Sequence, residues 1–424
     1  MKKYALISLG CPKNLVDSET FAFLAEKANF EYTENVMEAE WIIVNTCGFI
    51  NDAKEESVNT ILDMAEMKHS GKCEKLIATG CLIKRYGDQI AENIPEIDNI
   101  IELKDFPSFA KLFGKQYFYG RKLLTPSHYA YLRISDGCNN NCTYCAIPKI
   151  RGKLASRPMS EILEEARDLS ERGVKEIIVN AQDTAQYGYD LTGKFLLPEL
   201  LEKLENIKGI KWIRLLYLHP AHLTTEIIDT VAGSNKILPY FEIPLQHISD
   251  NMLKKMNRHT NKENIINKLN EIKEKIPEAV VRTTFITGFP GETDKDFKEI
   301  LDFIQEYKFG RLGVFTYSQE DGTPAFDFEN QIPEEIAIKR KDQIMEIQQE
   351  ISKNYLEKFV GKILEVIIDK ESEEDGFKYE GRSYIDAPEI DGVVFIEKGE
   401  AKIGEIIKVK IIDSGEYDLF GEIV

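Results

Sequence analysis

The chain has 424 residues, 43% of them apolar, and a formal net charge of −18. That length allows two to four domains with sizeable cores. The charge argues against nonspecific binding to a phosphate backbone, though not against a local basic groove, and fits a basic protein partner better. Apolar runs are strand-sized, far short of the ~18 residues of a membrane helix, and Met1-Lys2-Lys3 precedes no signal-like segment. A cytoplasmic protein without a membrane partner is expected, and its seven cysteines then point to metal or redox chemistry rather than disulfides.

Residues 1–120 alternate strand and helix patterns. Apolar runs at 4–10, 41–46 and 76–80 end at Cys11, Cys47 and Cys81, and helical patterns follow over 16–28, 52–67 and 84–92. Such alternation predicts a parallel sheet with helices on its faces, and ligands gather outside the carboxyl ends of its strands. Three cysteines at three such ends can converge as a three-thiolate site. Read singly, each could equally be a small buried hydrophobe. Cys73, in a polar run, is read as a spare thiol.

Residues 126–355 carry six further strand–helix units, with strands near 130–135, 176–182, 212–218, 240–245, 281–288 and 310–318. The loop after the first of these strands reads Gly137-Cys-Asn-Asn-Asn-Cys-Thr-Tyr-Cys145, placing Cys138, Cys142 and Cys145 at C-x-x-x-C-x-x-C spacing. Three soft thiolates on one loop can hold three corners of a cubane and leave one iron open to a small chelating molecule. A zinc site would need a distant fourth ligand. Gln182, Asp183, His219, His222, Gln246, His247, Gly288, Tyr317 and Ser318 fall at the predicted carboxyl ends of the other strands. Lys149, Arg151, Lys153 and Arg157 form a basic strip. It is either a solvated loop or the cation for a substrate carboxylate, Arg151 and Arg157 being the better grips.

Residues 356–424 read as five short strands, the pattern of a small antiparallel β-barrel. From residue 357 onward nine lysines and arginines face eighteen carboxylates, a charge of −9, which should repel RNA and attract a basic protein. With its own core, the middle domain should survive removal of this tail.

The three-cysteine loop, with the aromatic Tyr144 before its last cysteine, resembles that of the radical S-adenosylmethionine enzymes. The resemblance implies a partial (β/α)6 barrel and a [4Fe-4S] cluster whose open iron binds S-adenosylmethionine. Rim residues would cradle that cofactor, Tyr144, Gln182, Gln246 and Gly288 among them. The stretch Ser8-Leu-Gly-Cys11-Pro-Lys-Asn-Leu-Val-Asp-Ser-Glu19 is similar to the amino-terminal domain of the methylthiotransferases, in particular the RimO branch. That branch modifies an aspartate of the twelfth small-subunit ribosomal protein. The resemblance implies a second [4Fe-4S] cluster on Cys11, Cys47 and Cys81, an electron donor, and a basic ribosomal protein as substrate. The placement and strand rhythm of the tail resemble a TRAM domain. The expected architecture is thus α/β: an N-terminal parallel α/β domain (1–120), a central partial (β/α)6 barrel (126–355) and the small β-barrel (356–424). A MiaB-like enzyme acting on adenosine in transfer RNA is the alternative within the family, although that branch usually reads Gly-Cys-Gln-Met-Asn at Gly10 to Asn14. A two-cluster electron-transfer protein is the alternative from another class.

Overall fold

The computed structural model describes residues 1–424. Its first unit is a parallel sheet of β1 (Lys2–Ser8), β2 (Phe30–Tyr32), β3 (Trp41–Thr46), β4 (Lys75–Gly80) and β5 (Asn99–Ile100), in the order β2-β1-β3-β4-β5. The two edge strands are too short to show a period in sequence. Helices α1 (Pro12–Lys27), α2 (Asn51–Ser70) and α3 (Cys81–Asn93) follow β1, β3 and β4. Alternate residues sort to opposite faces, as a strand's period of two requires. Tyr4, Trp41, Ile43 and Ile77 pack with Phe21 of α1, whereas Ala5, Ile42, Val44, Leu76 and Ala78 pack with Ile61 of α2. Cys73 is buried in this second layer, just before β4 and so at the opposite end of the sheet from the other cysteines.

The second unit is a six-stranded parallel sheet of β6 (Tyr129–Arg133), β7 (Glu176–Asn180), β8 (Trp212–Leu215), β9 (Ile237–Glu242), β10 (Val280–Thr287) and β11 (Arg311–Thr316), paired in chain order. Helices α4 (Met159–Glu171), α5 (Leu197–Glu205), α6 (Thr225–Ala232), α7 (Lys262–Lys275), α8 (Asp294–Tyr307) and α9 (Glu334–Leu356) accompany it. Thr293 and Asp296 form a capping box at the start of α8, which satisfies two otherwise free amides. Ala130, Leu132, Ile177, Val179, Ile213 and Phe241 belong to the large core beneath the helices. The alternate residues Tyr129, Tyr131, Ile178, Trp212, Tyr240 and Val280 belong to a different core, shared with the tail.

The tail closes a barrel from β12 (Ile363–Glu371), β13 (Tyr379–Arg382), β14 (Val394–Lys398), β15 (Ile406–Ser414) and β16 (Leu419–Ile423), in the order β12-β13-β14-β16-β15. The β14–β16 pairing is parallel, the others antiparallel. A closed ring of five strands cannot alternate direction throughout, so the expectation of a wholly antiparallel barrel fails at one seam.

The tail also docks on the central domain. Its 383–391 segment brings Ile385 and Ala387 into the core formed by the inward-facing residues of the central sheet. Arg214 is fully buried and donates to Glu176 (2.8 Å) and to the carbonyls of Tyr384 (2.9 Å) and Ser383 (3.2 Å). Arg382 reaches back to Glu176 at 2.7 Å. Asp386 pairs with Arg311, and Asp391 with Arg282 and the hydroxyl of Tyr240. Part of the tail's acidity therefore serves docking, while Glu373, Glu374 and Asp375 remain exposed. Removing the tail would bare one face of the central sheet, whereas the 44-residue core beneath the helices contains no tail residue and stands as the domain's own.

Candidate active site

Cys11, Cys47 and Cys81 each follow the carboxyl end of a strand: Cys11 caps α1, Cys47 follows β3, and Cys81 opens α3. Gly10, at φ +87°, has no room for a side chain, since a Cβ there would lie 2.8 Å from Cys47 Sγ. Gly80, at φ +101°, would set a Cβ 2.4 Å from the Thr46 carbonyl. Only glycine permits these approaches. Asn14 ties the ends together. Its amide donates to the carbonyls of Leu9 and Thr46, both at 2.9 Å, and its Oδ1 lies 3.4 Å from Cys81 Sγ. Burial pushes the Cys81 thiol up to about 12; Arg151 opposes this, and Cys11 and Cys47 reinforce it.

The loop carrying Cys138, Cys142 and Cys145 is pinned by its own backbone and by the turn after residue 255. Cys138 N–H donates to the Gly152 carbonyl (3.1 Å), Cys145 N–H to that of Cys142 (3.0 Å), and Thr143 N–H to that of Met256 (3.1 Å). Buried Arg258 donates to Cys142 Sγ (3.4 Å), the Tyr144 hydroxyl (3.2 Å) and the Pro244 carbonyl (2.5 Å). Burial raises Cys138 to about 11 and pushes Cys145 up as well, with Cys142 adding to it. Buried thiols of this kind give up their protons only to a compensating positive centre.

The spacing of the sulfurs bears on what that centre is. A single zinc, with Zn–S near 2.3 Å, would draw its sulfurs to about 3.8 Å from one another. In neither cysteine set do all three sulfurs lie within 4.8 Å of one another; the one group that does so is Asp183, His219 and His222. Neither set has the spacing that a lone zinc ion would impose.

Around the mouth of the central sheet, several buried polar atoms have no partner: Gln182 Oε1, His219 Nε2, Gln246 Oε1 and the Tyr317 hydroxyl. They stand just past β7, β8, β9 and β11. Orphaned buried groups are rare in proteins because each costs about 1–3 kcal/mol, and four at one rim mark a place for a polar ligand. Gln182 otherwise donates to Asp136 at 2.9 Å, and Gln246 sits at φ +70°. Burial, then the Arg258 charge, hold the His219 imidazole well below its usual range. Tyr144 packs against Met252, Met256 and Phe289. Gly288 has a packing reason of its own. A Cβ there would lie 2.4 Å from Ala337 Cβ on α9, and its N–H is taken by Glu292 at 2.7 Å.

The basic strip turns out differently from its reading as a carboxylate grip. Arg151 is buried and spent on Asp136 (3.2 Å), Asp17 (3.0 Å) and Asn14 (2.6 Å). Arg157 pairs with Glu165 at 2.6 Å and donates to the Arg133 carbonyl at 2.8 Å. Neither is free for an incoming carboxylate. Arg151, in the turn after the Cys138–Cys145 loop, instead reaches Asp136, just before that loop, and Asn14, which braces Cys81, and so ties the surroundings of the two cysteine sets together. Sequence reasoning missed Asn14 and Arg258. The one local signal for Arg258 is the pair of left-handed residues around it, Asn257 (φ +56°) and His259 (φ +51°), and that is visible only in the structure.

Three stretches match known families: residues 3–102 the uncharacterized protein family UPF0004, residues 132–304 the radical SAM superfamily, and residues 360–424 the TRAM domain. Over its whole length the chain is 46% identical to the ribosomal protein uS12 methylthiotransferase RimO of Clostridioides difficile, covering 99% of that protein. It is 48% identical over 99% of its length to the enzyme of the same name from Clostridium botulinum strain Eklund 17B, covering 97% of it. The chain belongs to the RimO family. Solved structures similar to it include the radical S-adenosylmethionine methyltransferase TsrM from Kitasatospora setae, with TM-score 0.54 and 12% identity over 74% of this chain and 73% of that one. The cobalamin-dependent radical enzyme OxsB gives 0.53 at 12% identity, over 82% of this chain and 62% of that one. At such identity these two speak for the fold alone. Membership of the RimO family and the radical SAM superfamily makes the protein an enzyme with a [4Fe-4S] cluster and S-adenosylmethionine, and the three-thiol loop with its ring of orphaned polar atoms fits that pair. No helix is long and apolar enough to cross a membrane.

Proposed function

We propose that the protein adds a methylthio group to the β-carbon of an aspartate in ribosomal protein uS12, with Cys138, Cys142 and Cys145 holding the cluster that binds S-adenosylmethionine. Cys11, Cys47 and Cys81 hold a second [4Fe-4S] cluster. Together the bound groups supply a carbon-centred radical, sulfur and a methyl group, chemistry that acid–base catalysis at neutral pH cannot provide for an unactivated C–H bond. The chain's own residues position and enclose. Arg258 fixes Cys142 and the Tyr144 hydroxyl. Gln182, His219, Gln246 and the Tyr317 hydroxyl offer unspent hydrogen-bonding groups to S-adenosylmethionine. Arg151 and Asn14 keep the two cysteine sets in fixed relation, which turns sulfur delivery into a problem of proximity. An electron donor must serve the first cluster, and the exposed acidic turn at Glu373, Glu374 and Asp375 would draw in a basic substrate.

The observation that carries this reading is the pair of three-thiol sites joined through one buried arginine. The experiment is mass spectrometry of uS12 incubated with reconstituted enzyme, S-adenosylmethionine and reductant. Replacing Cys138, Cys142 and Cys145 by alanine should abolish 5′-deoxyadenosine. Replacing Cys11, Cys47 and Cys81 should spare that product and stop methylthiolation. Loss of cleavage in both variants, with the remaining cluster intact, would refute the division of labour. Modification of transfer RNA in place of uS12 would refute the substrate.

A further inference from the structure

Lys13 stands in the first turn of α1, two residues after Cys11, and is 6% exposed. The helix carries it out of the N-terminal domain and over the mouth of the central sheet. Its ammonium donates to the Ala181 carbonyl at 3.1 Å, just past β7, and lies 3.5 Å from the centroid of the Tyr217 ring, just past β8. It belongs to no ion pair, so no carboxylate oxygen lies within 4.0 Å of it. The neighbouring carboxylates are committed elsewhere. Asp136 is held by Arg151 and Gln182, and Glu242 by Arg282 and the Tyr217 N–H.

Stability does not account for a charge at this point. A buried ammonium forfeits its hydration and needs a counter-ion to compensate. The first turn is the positive end of a helix and disfavours a cation. Tyr217 holds a left-handed backbone at φ +60°, a strain that tends to persist at functional sites. A dry ammonium with no carboxylate in contact, held over the rim beside Cys11, is placed to meet an incoming anion.

We propose that Lys13 receives the side-chain carboxylate of the aspartate that is modified. This rests on the function proposed above. The position suits it: Ala181 leads directly to Gln182 on the rim, and Cys11 is two residues away on the other side. A carboxylate there supplies the missing counter-ion and also faces the amino end of α1, which favours negative charge. The carboxylate receptor thus comes from the N-terminal domain rather than from the basic strip after the cysteine loop.

The test is a double-mutant cycle on binding, which requires no turnover. Full-length reconstituted enzyme with S-adenosylmethionine is titrated with uS12 carrying the target aspartate or an asparagine in its place. The enzyme is wild type, Lys13→Met, which keeps the length of the chain, or Lys13→Gln, which can still donate to Ala181. Wild type should lose roughly 30-fold or more in affinity when aspartate becomes asparagine. Each Lys13 variant should lose a similar factor toward the aspartate protein and nothing further toward the asparagine protein. Losses that multiply, or a variant that binds the aspartate protein as wild type does, would overturn the assignment. A lysine acting only as a clamp between domains would weaken both substrates equally and so falls on that side. Collapse of both variants, read as lost iron and a lowered urea midpoint, would likewise make Lys13 a clamp. Wild type that neither discriminates the two substrates nor modifies the aspartate would instead reject the functional reading itself.

Discussion

Arg214→Met tests whether the tail is bolted to the central domain or only leans on it. The side chain is 0% exposed, and all three of its hydrogen bonds are internal: Glu176 and the carbonyls of Tyr384 and Ser383. Its guanidinium also lies over the Tyr240 ring, 4.8 Å from the centroid. Methionine fills much of the stem's volume but donates nothing. The buried Ser383 carbonyl loses its donor, at about 1–3 kcal/mol, the half-buried Tyr384 carbonyl loses one too, and Glu176 is left with Arg382 alone. Breaking one side of a buried charge pair typically costs about 3–5 kcal/mol, and we expect a total loss in that range. A 3 kcal/mol loss multiplies the undocked population by about 100 or more. Limited proteolysis under conditions where opening is fast reads that population directly, so cleavage within residues 383–391 should accelerate by a comparable factor. Urea denaturation of the full chain should show an early transition absent from wild type. A loss below about 1 kcal/mol with unchanged proteolysis would mean that the apolar contacts of Ile385 and Ala387 suffice, and the argument from Arg214 would fall.

Iron and sulfide analysis should find about eight irons per fully loaded chain. Joint replacement of Cys11, Cys47 and Cys81 by alanine should halve that figure, whereas Cys73→Ala, buried at the far end of the sheet, should leave it unchanged. Arg258→Gln should lower the reduction potential of the cluster on the Cys138–Cys145 loop, because a positive hydrogen-bond donor on Cys142 Sγ favours the more negative, reduced state. Redox titration followed by electron paramagnetic resonance reads it, and an unmoved potential refutes it. Burial pushes the Glu165 carboxyl up, but Arg121 and Arg157 outweigh it and hold the group at about 2, below its ordinary 4.5. A depressed folded-state value means that this stabilisation is complete above about pH 5 and drains away as pH falls toward 2. Glu165→Gln should therefore cost stability at neutral pH and flatten the acid limb of the urea midpoint plotted against pH.

The parts of the fold that repeat were legible in sequence. Strands such as 176–180, flanked by amphipathic helices, announce themselves by period, and each cysteine of the N-terminal set falls at the end of such a strand. What could not be read is how a polar residue is used. Arg151 and Lys13 look alike in sequence, both basic and both beside a cysteine motif. One is neutralised by Asp17 and Asp136, and the other lacks a carboxylate; only the meeting of the two domains decides which. Asp386 and Asp375 are likewise indistinguishable as letters, yet the first is buried against Arg311 and the second lies in solvent. Gly288 illustrates the same limit: a rim glycine suggests room for a ligand, whereas here the room is filled by Ala337.

The core shared between the central sheet and the tail has a consequence for synthesis. The inward-facing Tyr129, Tyr131, Ile178, Trp212 and Tyr240 are all translated before residues 383–391, which cover them. At 5–20 residues per second, typical of translation, the nascent chain carries a bare aromatic wall for roughly ten seconds or more after Tyr240 is made. Premature termination before about residue 391 leaves that wall uncovered, so such truncated products should be bound by chaperones or aggregate rather than accumulate as a smaller enzyme.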